Sequence, residues 1–156
     1  GSGKDENKRA PMFWSKDGNA EGMCKGPADM DDFRMKFDSL EEQQEDPDSI
    51  YNYVKQVIRV RNQNPVIARG TTAYLEQYSG EQCFALTRSY EGSNLLLLGN
   101  TSAEAVSVDL TGLTVGGTTA EELVLLGELY TGEETAERAG TVVTLPAYSI
   151  LILGEE

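Results

Sequence analysis

The stretch Asn94-Leu95-Leu96-Leu97-Leu98-Gly99-Asn100-Thr101-Ser102-Ala103-Glu104-Ala105-Val106-Ser107-Val108-Asp109-Leu110 decides the fold. Its run 95–98 is apolar on both faces of an extended chain, which reads as a central strand. Val106, Val108 and Leu110 then alternate with polar neighbours, as in a strand with one wet face. The same pattern runs through the chain from Gly70. Segments 71–77, 82–88, 94–100, 105–110, 122–126, 141–145 and 149–153 read as strands, and 150–153 is the second run apolar on both faces. The turn signals between them are Ser79-Gly80, Glu91-Gly92, Gly116-Gly117, Thr131-Gly132 and Gly140. About seven short strands with no helix between them predict a mainly β fold, an antiparallel sandwich or Greek-key barrel. Residues 120–126 also fit the start of a helical turn.

Upstream of Gly70 the period changes. Ile50, Tyr53, Val54, Val57, Ile58 and Arg61 recur at steps of three and four, so residues 46–64 are expected to form one helix with an apolar stripe. Asp46 suits the N-cap, Pro47 the first helical position and Asp48 the positive end of the dipole. Asn64-Pro65 is expected to stop the helix, because proline disfavours helical geometry in its predecessor. Residues 1–45 read as irregular, yet they carry Met12, Phe13, Trp14, Met23, Met30, Phe33, Met35, Phe37 and Leu40. A disordered tail is poorer in aromatics, and so long a loop is unusual in a compact domain. Such a segment suits the surface of a larger body. The expected organisation is therefore an irregular segment 1–45, a helix and linker 46–69, and an all-β domain 70–156.

Charge divides the chain at the same place. Residues 1–69 hold 11 basic and 13 acidic side chains; residues 70–156 hold only Arg88 and Arg138 against 13 acidic ones. The total of -13 argues against nucleic-acid binding, which needs clustered Lys and Arg to neutralise phosphates. It argues equally against docking on an anionic membrane. The sequence contains no histidine, which removes Ser-His-Asp and Cys-His catalysis and His-ligated zinc. Cys24 and Cys83 are too few for a cysteine-only zinc site in one chain, and their spacing requires no disulfide. No run reaches the ~18 apolar residues of a membrane-spanning helix. Residues 1–10 are polar and charged, unlike a signal peptide, and the compartment is left open as secreted or cytoplasmic.

Motif chemistry is mostly eliminated. Gly1-Ser2-Gly3-Lys4 lacks the hydroxyl residue and the preceding strand of a phosphate-binding loop. Asp29, Asp31 and Asp32, or Asp46 and Asp48, do not follow a calcium loop's alternation. No metal site is expected. Asn100-Thr101-Ser102 fits the glycosylation acceptor pattern and is read as a polar turn. Trp14 and the tyrosines are candidate sugar-stacking surfaces, with Tyr74, Tyr78, Tyr90, Tyr130 and Tyr148 the ones to form a coplanar pair in a binding module.

Three segments, in order, resemble the C-terminal end of the α-amylase family, glycoside hydrolase family 13. Arg9-x-Pro11-Met12-x-Trp14 is similar to the loop after barrel strand eight. Ile58-Arg59-Val60-Arg61-Asn62-Gln63-Asn64-Pro65-Val66-Ile67 resembles the last barrel helix and the exit into the C-terminal domain. Leu145-Pro146-Ala147-Tyr148-Ser149-Ile150-Leu151-Ile152-Leu153 is similar to that domain's closing strand. The resemblance implies an antiparallel β-sandwich of the α-amylase C-terminal type, preceded by one helix and an irregular segment. It implies a parent acting on α-glucans with a nucleophilic Asp, an acid/base Glu and a further Asp. No position here matches those three, so no catalytic residue is carried over. Arg9 and Trp14 match positions near the cleft rim and are the candidate site residues. Calcium belongs, if anywhere, to the parent, and none is placed here. The implied partner is an upstream barrel; with the barrel missing, the helix stripe would be open to self-association.

Overall fold

The computed structural model describes residues 3–17, 21–32 and 35–155. Gly1, Ser2 and Phe33 of the sequence reading lie outside them. The chain divides into two compact units, Gly1–Asn52 and Tyr53–Glu156.

The first unit is less irregular than its sequence suggests. It holds α1 (Asp5–Lys8), α2 (Leu40–Glu45) and the first residues of α3 (Ile50–Gln63). The Ser39 hydroxyl accepts the Glu42 N–H while the Glu42 carboxylate accepts the Ser39 N–H, a reciprocal cap that starts α2. Ser39-x-x-Glu42 was therefore the overlooked signal. The chain before it is tied on by backbone bonds, Leu40 N to Phe13 O at 2.9 Å and Glu41 N to Trp14 O at 3.1 Å. Asn7 and Asp31 exchange two hydrogen bonds, and Lys4 Nζ reaches Asp31 at 2.9 Å.

The long helix starts later than expected. Asp46 is the C-cap of α2, not an N-cap, and its carboxylate accepts the Asp48 N–H in a tight turn. The cap of α3 is Ser49, whose hydroxyl accepts the Asn52 N–H and donates to Gln43 O. At the far end Pro65 does stop α3, but it also opens α4 (Pro65–Arg69), because its fixed φ suits a first helical position.

The described residues of the second unit, after its helices, form ten strands: β1 (Thr71–Tyr74), β2 (Cys83–Tyr90), β3 (Ser93–Asn100), β4 (Val106–Asp109), β5 (Thr114–Val115), β6 (Thr118–Thr119), β7 (Val124–Leu129), β8 (Glu137–Ala139), β9 (Val142–Leu145) and β10 (Ile150–Gly154). A five-stranded sheet runs β1-β2-β3-β10-β7, a three-stranded sheet β4-β9-β8, and β5-β6 is a hairpin. Every pairing is antiparallel. The chain leaves the larger sheet between β3 and β4, rejoins it at β7, crosses again to the smaller sheet at β8, and returns for the last time between β9 and β10. Because β3 lies beside β10 and β4 beside β9, this is a folded double ribbon, the connectivity of Greek-key sandwiches.

The apolar runs occupy the centre as their pattern requires. Ala85, Leu98 and Leu151 form one cross-strand row, and with Leu96 and Leu153 they meet Val108, Val143 and Leu145 of the smaller sheet in the main core. The opposite face holds the row Leu86, Leu97, Ile152 and Gly127. Helices cover part of that face. Val60 of α3 sits over Gly127, α4 packs on β2 and β3, and Arg88 donates to Val66 O at 3.3 Å. Leu95 and Ile152, which belong to this face, are thereby buried. The runs 95–98 and 150–153 are apolar on both faces because both faces are covered.

Three strands were not expected, since two or three residues show no alternation. The β5-β6 hairpin turns on Gly116 and Gly117, both at positive φ, as a two-residue turn demands. The expected strand 122–126 begins at Val124, and Ala120–Glu122 is a single helical turn closed by a Thr119–Glu122 reciprocal cap. The expected strand 71–77 ends at Tyr74 and runs into a short helical turn, Glu76–Tyr78. Both cysteines are free thiols. Among the described residues no helix is long and apolar enough to cross a membrane.

Candidate functional site

Arg9 and Trp14 lie on the loop that leads from α1 toward α2. Arg9 pairs with Asp5 one helical turn earlier, at 3.1 Å. Both side chains are well exposed, so the pair contributes little to stability. Trp14 is about half exposed, and its carbonyl anchors the start of α2. A concavity of about 810 Å³ opens beside this loop. Pro11, Phe13, Met30 and Met35 supply its apolar wall, and Lys16, Asp31 and Asp38 are among its charged groups. Arg9 and Trp14 are not part of that lining, whereas Ala10, Pro11, Phe13, Lys16 and Asp17 of the same loop are.

Three carboxylates hold their protons more weakly than usual, each for a local reason. The Ser39 hydroxyl and backbone hold Glu42 down, Thr111 then Thr141 hold Asp109 down, and Thr119 holds Glu122 down. All three sit at helix starts or turns, where a carboxylate accepting hydroxyl and N–H bonds is a structural device. No two of them share a site in a way that would split acid from base. Tyr130 is pushed up to about 12, by burial first and then by the neighbouring Glu128. Its phenol donates to Glu128 Oε2 at 2.7 Å and accepts the Ala136 N–H at 2.9 Å. Among the described residues no group of three or more Cys, Asp or Glu is placed to hold a metal ion.

Asn100, the apparent glycosylation acceptor, is buried to 3% exposure. Its amide nitrogen lies 2.7 Å from Glu104 O, 2.9 Å from Pro146 O and 3.2 Å from Leu145 O. Its side-chain oxygen accepts the Ser102 N–H and hydroxyl. The atom that a glycan would need is consumed inside the fold. Of the five tyrosines, Tyr74 and Tyr148 are the strongly exposed ones, at 61% and 53%. Tyr78 donates to Thr111 O, and Tyr90 receives the Arg69 guanidinium 5.9 Å from its ring centroid.

No family model matches the chain, and no curated protein does. Solved structures do. Amy13B of Eubacterium rectale is 38% identical, with a TM-score of 0.88, over 100% of this chain and 29% of that one. An alpha-amylase from H. orenii matches at 21% identity and TM-score 0.65, over 93% of this chain and 28% of that one. The trehalulose synthase MutB matches at 23% and 0.67, over 92% and 24%. The last two likenesses bear on the fold alone. The chain thus spans under a third of the length of each protein it matches. With the Amy13B match running from end to end, and with the Arg9-to-Trp14 loop, the exit helix and the closing strand in family order, the chain belongs to the α-amylase family, glycoside hydrolase family 13, as its C-terminal region.

Proposed function

We propose that this chain is the non-catalytic C-terminal region of a glycoside hydrolase acting on α-glucans, and that its β domain stabilises the catalytic barrel. Residues 1–45 are the end of that barrel, 46–69 its last helix and the linker, and 70–156 the accessory domain. One observation carries the reading. On α3 the side chains of Ile50, Val54 and Ile58 are 76%, 46% and 53% exposed at successive four-residue steps. Val60, on another side of the same helix, is already packed over Gly127. The helix is apolar on two sides, one used by its own sheet and one left for a neighbour. Covering three such side chains contributes on the order of 5 kcal/mol. In the absence of a barrel the same stripe is a seat for a second copy of the chain.

In this reading Arg9 and Trp14 border the sugar cleft of the longer protein, and this chain supplies no catalytic group. The test is activity on soluble starch and maltooligosaccharides. The longer protein that includes this chain cleaves or transfers α-glucosidic bonds, whereas the 156-residue chain does not. An inactive longer protein, or hydrolysis by this chain alone, contradicts the proposal. A second reading, a carbohydrate-binding module, is favoured by one observation, the 53% exposure of Tyr148.

A further inference from the structure

The outer strands of the two larger sheets are β1 and β7, and β4 and β8. Three of them carry the devices that keep a strand edge from pairing with another chain. β7 has a register break opposite Ile152 and Leu153 and contains Glu128, β8 is Glu137-Arg138-Ala139, and β4 ends on Asp109. β1 has none of these. Thr71-Thr72-Ala73-Tyr74 is uncharged, contains no proline, pairs with β2 without a shift, and is exposed at every residue. Threonine and tyrosine also favour extended chain.

The phase of the ladder fixes which backbone groups stand open. Leu75 N donates to Ala85 O at 2.9 Å, so these two form a bonded pair. Antiparallel alternation then makes bonded pairs of Ala73 with Thr87 and of Thr71 with Ser89. The N–H and C=O groups of Thr72 and Tyr74 therefore point away from β2. Among the described residues no strand meets them.

This edge is complementary to itself. When two copies align antiparallel about Ala73, Thr72 of each faces Tyr74 of the other, and each such pair exchanges N–H and C=O bonds. The Tyr74 ring, 61% exposed in one copy, then lies beside a threonine, a favourable cross-strand pair. Ala73 meets Ala73, with no bulk to hold the backbones apart. Arg69 precedes β1 and Glu76 follows it, so the same alignment sets the arginine of each copy at the glutamate end of the other. Charge favours this approach over others. Arg88 and Arg138 are the only basic residues after Gly70. Arg138 is spent on the carbonyls of Leu123 and Ala120, whereas Arg88 donates to Thr72 Oγ1 on β1 itself. Arg69 and Arg88 thus flank this edge of an otherwise acidic domain.

We propose that β1 is a self-association edge, through which two copies of this chain join their five-stranded sheets into one antiparallel sheet. The surface is distinct from the α3 stripe, and the proposal does not depend on the parent-enzyme reading. The strand contact is short, so the dimer is weak, with Kd on the order of 10⁻⁴ M.

The test is sedimentation equilibrium of the 156-residue chain at concentrations up to about 1 mM. It is run in the Ile50→Lys, Val54→Lys, Ile58→Lys background, which closes the α3 stripe. The mass rises from one chain toward two. Tyr74→Pro removes an outward N–H without removing a bond to β2, and it abolishes the dimer. Arg69→Glu and Glu76→Arg each weaken it about tenfold, and the double exchange restores it to within about threefold. These residues stand at opposite ends of β1, so such rescue does not arise within one copy. The charge exchange decides the matter if Tyr74→Pro fails to fold. A chain that stays monomeric at about 1 mM, a dimer indifferent to Tyr74→Pro, or a double exchange no better than its single variants overturns the proposal.

Discussion

The side-chain amide of Asn100 donates to the carbonyl of Pro146 at 2.9 Å, joining the first and the last of the points at which the chain crosses between sheets. Asn100 ends β3, on the way out, and Pro146 follows β9, on the way back. Asn100→Ala leaves the Leu145 and Pro146 carbonyls without this donor inside the fold. The expected loss is about 3 kcal/mol, read as a lower urea midpoint at unchanged slope. Asn100→Asp, which offers oxygens to those same carbonyls, is at least as destabilising. A melt within 0.5 kcal/mol of the original (about the scatter of a neutral surface change) contradicts the role given to this amide.

Phe84 and Gly99 stand directly opposite each other in the β2-β3 ladder. A Cβ on Gly99 would collide with Phe84 Cε1, so the ring occupies the space a side chain would take. Gly99→Ala is expected to destabilise by about 1–3 kcal/mol through overpacking. In the Phe84→Ala background the same change is better tolerated, and a double-mutant cycle measures the coupling. Additive losses would show that the ring is not what excludes the methyl group.

Tyr130 gives the β domain an alkaline limit. Its folded pKa is raised to about 12, whereas an unperturbed tyrosine titrates near 10. Folding therefore favours the protonated phenol. The contribution is complete below about pH 10 and is lost as the pH climbs through about 12. Tyr130→Phe removes this dependence, although it also removes the acceptor of the Ala136 N–H. Comparing denaturant midpoints of the two proteins between pH 9 and 12.5 isolates the effect: the gap between them narrows as the pH rises.

Glu42 acts in the opposite direction. Ser39 lowers its pKa below the ordinary 4.5, so the capping box stabilises α2 above that value and is lost as the pH falls through the depressed one. Ser39→Ala is expected to return the Glu42 pKa toward ordinary and to fray α2, both visible by NMR titration. A Glu42 titration unmoved by this substitution would contradict the reciprocal cap.

The sandwich was legible because two short runs apolar on both faces stood among alternating segments and turn signals, too short and too closely bounded for buried helices. Leu95 to Leu98 and Ile150 to Leu153 announced β3 and β10, and their central places followed. Elements of two or three residues left no such mark. Gly116-Gly117 revealed a turn without revealing that β5 and β6 flank it. The start of α3 was misplaced because Asp46-Pro47-Asp48 and Ser49 both satisfy capping rules, and only the bonds from Ser49 to Gln43 and Asn52 decide between them. The candidate site was less legible. Arg9 and Trp14 were named through resemblance, and the concavity walled by Pro11, Phe13, Met30 and Met35 gathers residues from separate stretches, which spacing along the chain does not report. Asn100 was visible only as a glycosylation pattern, since burial is a property of the folded chain.

The central claim is that the Ile50–Val54–Ile58 stripe belongs to a barrel that this chain completes. It is tested most directly by measuring Tm for the triple variant Ile50→Lys, Val54→Lys, Ile58→Lys in two settings, this chain alone and the longer protein that includes it. The account predicts a Tm within a few degrees of the original for the chain alone, where these side chains are exposed, and a loss of several kcal/mol in the longer protein, where they are covered. Equal stability of variant and original in the longer protein would contradict it.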